Sequence, residues 1–464
     1  MIDLTLLDVA TAVGGVAVGD VDLVVRGPVL VDSRSASPGA LFAAVVGEHA
    51  DGHDFAAAAA ANGAVAALTT RPLTVLPCVV VDDVVAALSR LAGTVLSRLR
   101  EAGRPRVVGV TGSTGKTSTK DLLAQVLAPR GETVAPVGSY NNEIGLPLTV
   151  LRASPATEHL VLEMSARGLG HITALCQVAP LDVGVVLNVG SAHVGEFGSR
   201  AAIATAKAEL VAGVVDDGVT VLNADDDLVA AMRSHARGRV VTFGCRPDAD
   251  VAASGVRLDD RGRAAFRLES TAGSHPVSMQ LVGEHHVANA LAAAAAAIEC
   301  GVPPADVAAS LSTAVPLSRW RMEMRRTSDG VTVINDAYNA NPESMQAALR
   351  ALVRVAGDGP TWAVLGMMAE LGAETDRQHA LLGELCAALA VSHVVVVGAE
   401  AAGVADAARR GGVDTVECPD VESAVALLEE RLEPGDTVLV KASRSVGLER
   451  VAEALAPATA GEAA

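Results

Sequence analysis

The chain of 464 residues is long enough for about three domains. Half of it is hydrophobic and 19% charged, which excludes a disordered polymer, while 54 acidic against 36 basic residues leave a formal charge of −18. That charge, with aromatics at only 2%, excludes binding of nucleic acid or anionic lipid by bulk charge, or of single strands by base stacking.

In chain order, the first hundred residues hold short β-type runs, a helical stretch over Phe55–Ala67 and a strand at Val79–Val81. The segment from Arg98 to Arg106, with four arginines, a glycine and a proline, reads as a linker. A buried-strand pattern then opens at Arg106–Thr111 and runs into a Gly-rich turn and a helix. Strand patterns at Leu160–Glu163, Val183–Asn188, Val219–Asn223 and Val240–Phe243 alternate with helical ones, including Lys207–Val215, as in a doubly wound parallel sheet. Residues 250–283 alternate around Asp259-Asp260-Arg261-Gly262 and predict an inserted hairpin, followed by an Ala-rich helix over 287–299. After a break at Pro316–Ser318 a further series begins. It comprises Val331–Asn335, a helix 343–355, Thr361–Leu365, a helix 376–390, Val394–Val397 and Thr437–Lys441. The expected organisation is three α/β domains over 1–103, 104–316 and 317–464: an N-terminal α/β domain, a central doubly wound P-loop domain and a C-terminal Rossmann-like domain.

Cys78, Cys176, Cys245, Cys300, Cys386 and Cys418 form no C-x-x-C pair and no metal-like spacing, so free thiols in a reducing compartment are expected. Met1–Thr5 lacks a basic, then apolar, signal pattern, and the alanine tracts 56–61 and 290–298 are too short to span a bilayer. A cytoplasmic location without membrane insertion is the expectation.

The sharpest chemical signal is Thr111-Gly112-Ser113-Thr114-Gly115-Lys116-Thr117-Ser118, between a strand and a helix. Backbone N–H groups of such a turn cradle phosphates, Lys116 bridges them, and the Thr117 hydroxyl suits Mg²⁺. The usual first glycine is replaced by Val110, with glycines at 109 and 112 instead. Glu163 and His193 follow strand ends of the same sheet, where ligands bind in doubly wound folds, and complete a candidate metal constellation with Thr117.

This T-G-[ST]-x-G-K-[ST] loop resembles that of the Mur ligase and folylpolyglutamate synthase group of ATP-dependent amide ligases. The likeness continues through Gly138–Pro147, Leu187–Ser199, Ala204–Leu210, Gly283–Ala290, Ser318–Glu323, Asn335–Met345, Gly366–Gly372 and Val440–Ser445. Asp32-Ser33-Arg34 and Asp51–Phe55 resemble the UDP-sugar domain of the Mur ligases, and D-x-Y-N-A-N-P at Asp336–Pro342 resembles the branch that adds a dipeptide.

The resemblance implies that Lys207 is carbamylated by CO₂ and joins Glu163, His193 and Thr117 in holding Mg²⁺, as two ions. It puts Asn289 at the adenine, Arg319 at the phosphates and Asp336 at the ribose, with Asn339 also on the nucleotide. It gives Asn142 a role at the γ-phosphate, and Ser33, Arg34, Asn141, Tyr338, Asn341, Lys441, Ser443 and Arg444 a role in binding substrate. ATP would activate the carboxylate of a UDP-MurNAc-tripeptide as an acyl phosphate, and the amine of D-Ala-D-Ala would displace phosphate. A monomer is expected. The rivals are a sibling ligase adding one amino acid, and a P-loop ATPase or nucleotide-binding protein without ligase activity.

Overall fold

The computed structural model describes residues 1–191 and 194–457. Three larger sheets follow one another along the chain, and their order explains where a ligand can bind. The N-terminal sheet has five short strands in the spatial order Val16–Val18, Cys78–Val80, Ala64–Thr69, Ala40–Ala43 and Val29–Leu30, parallel except at the first.

The central sheet has nine strands. Its parallel part places Arg106–Thr111 between Thr157–Glu163 and Leu181–Val186. The chain leaves Arg106–Thr111 for the edge strand Glu132–Val134, returns to Thr157–Glu163, then crosses to the other side at Leu181–Val186. Strand order therefore reverses at Arg106–Thr111, and a crevice opens at the C-terminal ends of these strands. β-branched residues bury both faces of that strand, as a parallel sheet covered by helices requires. The helix His286–Glu299 packs almost fully buried against the helix Lys116–Leu127 and the strands Val214–Asn223 and Arg239–Gly244, which its alanines permit by letting backbones approach closely.

The C-terminal sheet orders its six strands Glu323–Arg326, Thr332–Asn335, Thr437–Lys441, Thr361–Leu365, His393–Val397 and Asp414–Cys418, antiparallel only at the first pair. It too reverses, around Thr437–Lys441, so Asp336 and Lys441 emerge side by side at strand ends. Among the described residues, no helix is long and apolar enough to cross a membrane.

Three sequence expectations need correction. The helix expected over Phe55–Ala67 stops at Ala61, and Ala64–Thr69 is a buried strand. Asn62 and Gly63 (φ +108°) break the helix there, and alanine is small enough to serve either element. The Arg98–Arg106 segment is not all linker, because a helix runs from Val84 to Glu101. Arg98 reaches Asp8, and Arg100 reaches Asp182 at 2.8 Å, so these arginines tie the helix to the domains on either side. Residues 250–283 form three antiparallel strands, Val251–Leu258, Arg263–Ser270 and Gly273–Val282, that extend the central sheet.

Candidate active site

The phosphate loop closes the strand Arg106–Thr111 and opens the helix Lys116–Leu127. Gly115 stands at φ +80°, and a Cβ there would lie 2.3 Å from Asn289 Oδ1, so the loop and the Ala-rich helix meet where no side chain fits. Asn188, just past the strand Leu181–Val186, splints the loop. Its Oδ1 accepts from Thr114 N–H at 2.9 Å, and its Nδ2 donates to Thr114 C=O at 3.2 Å. Ser113 Oγ in turn accepts from Gly190 N–H at 2.9 Å. Lys116 Nζ donates to the Gly112 carbonyl at 2.8 Å.

Glu163, 1% exposed at the end of the neighbouring strand, gathers three donors. Thr117 Oγ1 reaches Oε2 at 2.9 Å, while Ser139 Oγ and Asn141 Nδ2 reach Oε1 at 2.8 and 2.7 Å. Together they form a hard oxygen-rich set beside the loop, the chemistry that suits Mg²⁺ shared with phosphate oxygens. Among the described residues, no group of three His, Cys, Asp or Glu stands as a metal cluster by itself. Asn142 lines the same space while its Oδ1 accepts from the N–H of Gly145, the first residue of the helix Gly145–Val150, at 2.9 Å.

The facing wall comes from the C-terminal domain. Lys441, 2% exposed, donates to Asp336 Oδ2 at 2.6 Å and to the Asn339 carbonyl at 2.8 Å, and Met322 N–H donates to Asp336 Oδ1 at 3.0 Å. The two walls enclose a cleft of about 840 Å³ lined by Ser113–Ser118, Asn141, Asn142, Glu163, Asn289, Asp336, Tyr338, Asn339, Asn341, Lys441, Ser443 and Arg444. Glu343, on the first turn of the helix Pro342–Ala356, reaches across to the central domain. Its Oε1 accepts from Ser191 N–H and Oγ at 2.8 and 2.9 Å, and a Cβ on Gly190 would meet its carboxylate at 2.9 Å. A second link joins Gly195 N–H to the Glu370 carbonyl at 3.2 Å.

Other expected residues lie elsewhere or are already engaged. Arg319 does not line the cleft. Its guanidinium stands 3.6 Å from Glu453 and over the Trp320 ring, and Arg321, two residues on, occupies the cleft wall instead. Ser33 and Arg34 belong to the N-terminal domain and stand outside this cleft, with Arg34 paired to Asp32 at 2.7 Å. Asn341 uses its side chain to cap its helix, accepting from Ser344 N–H at 2.9 Å, and Ser443 Oγ accepts from Ala369 N–H at 2.8 Å. His193 lies outside the described residues. Lys207 sits on the helix Arg200–Ala212, 6% exposed and not among the residues lining the cleft, with no hydrogen bond or ion pair among the described residues.

Arg321, Asn188, Glu343 and Ser139 were not singled out from the sequence. All four stand within stretches that carry the family resemblance, but only the folded chain separates Arg321 from Arg319.

The electrostatics are those of a site built for a polyanion. Burial pushes the Lys116 amine below its ordinary range, Glu163 opposes that shift, and Arg321 adds to it. Lys207 is pushed far down by burial and by Lys116. Burial also lowers His285 and His286, whose tilted rings adjoin with centroids 4.2 Å apart, and so favours their neutral form. Cations crowded against one carboxylate gain from phosphate oxygens what they lose in water.

Comparison with known proteins agrees with this architecture. Residues 28–102 match the family model "Mur ligase family, catalytic domain", 110–297 the "Mur ligase middle domain", and 320–444 the "Mur ligase, glutamate ligase domain". The chain is 47% identical to the UDP-N-acetylmuramoyl-tripeptide–D-alanyl-D-alanine ligase of Mycobacterium tuberculosis, over 98% of each chain. It superposes on the crystal structure of MurF from Acinetobacter baumannii with a TM-score of 0.87 and 30% identity, covering 98% and 99% of the two chains. A Thermotoga maritima MurF ligase in complex with ADP gives 0.78 and 31%, over 92% and 96%.

Proposed function

The chain belongs to the Mur ligase family, and on that premise we infer that it joins D-alanyl-D-alanine to UDP-N-acetylmuramoyl-tripeptide at the expense of ATP. The observation that carries this reading at the level of chemistry is one cleft. In it the phosphate loop, Glu163 and the strand-end pair Asp336–Lys441 face each other from two domains. ATP enters with its phosphates on the backbone N–H groups of 113–117 and its base towards Asn289.

The tripeptide carboxylate attacks the γ-phosphorus, the bond to the β-phosphate oxygen breaks, and acyl phosphate and ADP result. The dipeptide amine then adds to the acyl carbon and loses a proton. The tetrahedral intermediate collapses with loss of inorganic phosphate, giving the pentapeptide product. Catalysis is mainly alignment and charge stabilisation. Lys116 follows the charge on the transferring phosphoryl group, Asn142 offers its amide N–H₂ to the same oxygens, and Arg444 and Lys441 carry charge on the opposite wall. Asp336 meets the ribose once Lys441 shares its hydrogen bonds, and Tyr338, Asn339, Asn341 and Ser443 line the path of the incoming dipeptide. Ser33 and Arg34 hold the UDP end from the N-terminal domain.

Glu163 and Thr117 would hold Mg²⁺, which would supply charge neutralisation for the phosphates. A carbamate on Lys207 fits the chemistry of that site, because a buried amine without a described partner is held in the neutral form that adds to CO₂ with loss of a proton. The carbamate would turn a buried neutral amine into an anionic oxygen donor, with His193 completing the set. The reading places the enzyme in the cytoplasm, as a monomer.

The test is product mass spectrometry with a panel of UDP-muramoyl peptides, D-Ala-D-Ala and single amino acids, together with phosphate release. Pentapeptide product with D-Ala-D-Ala is expected. Product only with single amino acids would move the chain to a sibling specificity. Phosphate release without any ligated product would indicate an ATPase.

A further inference from the structure

Aromatic residues are scarce in this chain, yet Trp320 occupies a position that disfavours it. Its φ of +59° is left-handed, an outlier for a bulky side chain, and Met322 repeats the sign at +51°. Contacts on all sides hold the strained residue. Trp320 N–H donates to Glu323 Oε2 at 3.1 Å, its carbonyl accepts from Tyr338 N–H at 3.2 Å, and its indole Nε1 donates to Glu453 at 3.3 Å.

Two consequences follow from the geometry. In extended backbone, residues i and i+2 share a face. A left-handed residue between them breaks that alternation, so Arg319 goes to Glu453 while Arg321 enters the cleft. The indole also serves as a platform, with the Arg444 guanidinium 4.3 Å from its ring centre, and Arg321 lies likewise on the Tyr338 ring at 4.1 Å. Stacking holds the face of a guanidinium and leaves in-plane N–H groups for a phosphate; Arg444 Nη1 already pairs with Glu449 at 2.5 Å, so it is the other nitrogens of Arg444 that can turn to one. Arg321 lines the cleft, and its Nε is buried with no hydrogen-bond partner.

We propose that Trp320 is a positioning residue for the nucleotide. Its left-handed backbone aims Arg321, and its ring holds Arg444, so that both guanidinium edges meet the polyphosphate as it binds. Trp320 itself does not line the cleft, so it acts only through these arginines. The proposal rests on the reading of the cleft as an ATP site and goes beyond it.

Three variants separate the ring from the backbone. Trp320→Gly accepts the left-handed φ without strain and is expected to fold with an unchanged or raised thermal midpoint. Without the platform, its Kd for Mg-ATP, measured by calorimetry, should rise roughly tenfold, the worth of one partly desolvated cation–π contact. The KM for the UDP-linked peptide should stay put. Trp320→Phe keeps a ring and should bind Mg-ATP within about threefold of the parent. Trp362→Phe leaves Trp320 as the sole tryptophan, because the chain has only two. Its emission should then change on titration with Mg-ADP as Arg444 shifts towards the phosphates.

The proposal is overturned if Trp320→Gly binds Mg-ATP like the parent, if Trp320→Phe is as weak as Trp320→Gly, or if the Trp320 emission is unmoved at saturating Mg-ADP. A parent protein that binds no Mg-ATP would instead refute the nucleotide reading.

Discussion

Replacing Lys207 by methionine is expected to make the central domain more stable and the enzyme inactive. Lys207 is 6% exposed and has no described partner. Methionine has nearly the same length and buries a similar apolar stem, so the hydrophobic contribution largely cancels and the difference is the amine. An unpaired buried polar group costs about 1–3 kcal/mol in proteins. A domain of this size gains roughly 2–4 °C in Tm per kcal/mol, so the midpoint should rise by about 2–12 °C. The sign of the pH dependence is fixed. Burial and Lys116 hold the folded amine well below 10.5, so between the folded and unfolded pKa values the unfolded chain binds the extra proton. Stability of the parent therefore rises with pH up to about 10.5, by at most about 1.4 kcal/mol per pH unit, and the advantage of Lys207→Met narrows over the same window. Thermal and urea unfolding of both proteins between pH 7 and 10 read this directly, with ligation assayed in parallel. Bicarbonate should raise the midpoint of the parent and leave the variant unmoved. A variant less stable than the parent, or a gap that widens with pH, would refute the argument that Lys207 is held unpaired and neutral.

Other outcomes follow from the same geometry. Gly115→Ala places a Cβ 2.3 Å from Asn289 Oδ1 at φ +80°, and the left-handed strain alone costs about 1–2 kcal/mol, so Mg-ATP binding by calorimetry should weaken more than tenfold. Asn188→Ala removes both bonds to the Thr114 backbone, and the KM for ATP should rise about 5- to 30-fold, with steady-state kinetics as the check. Glu343→Ala cuts the two bonds to Ser191. Because the carboxylate is exposed, roughly 1 kcal/mol is at stake, and kcat should fall about fivefold while Mg-ATP binding holds. Hydrogen exchange at Gly190 and Ser191 should quicken in that variant, and unchanged exchange would count against the link.

Much of the site could be read locally. A strand of β-branched residues, a Gly-rich turn and a helix opening on Gly-Lys-Thr are set by neighbouring residues, and the structure places Lys116, Thr117 and Glu163 together at the strand ends. The alanine run over 56–67 was ambiguous because alanine fits a helix and a buried strand equally. The stop was nevertheless written in Asn62-Gly63, whose backbone ends the helix. The three-stranded extension over 251–282 differs from a hairpin by one turn, at Ser270–Gly273, that has little local signature.

By itself the sequence determined the class of fold, the phosphate loop and the strand ends that flank it, because each depends on periodicity and turn chemistry within a few residues. Tertiary structure alone decided which arginine lines the cleft. Arg319 and Arg321 carry the same charge two residues apart, and the left-handed Trp320, braced by Tyr338, Glu323 and Glu453, turns one away and the other in. Tertiary structure also left Lys207 buried and under the influence of Lys116, with no partner among the described residues, an environment assembled from distant segments and therefore invisible in any local pattern.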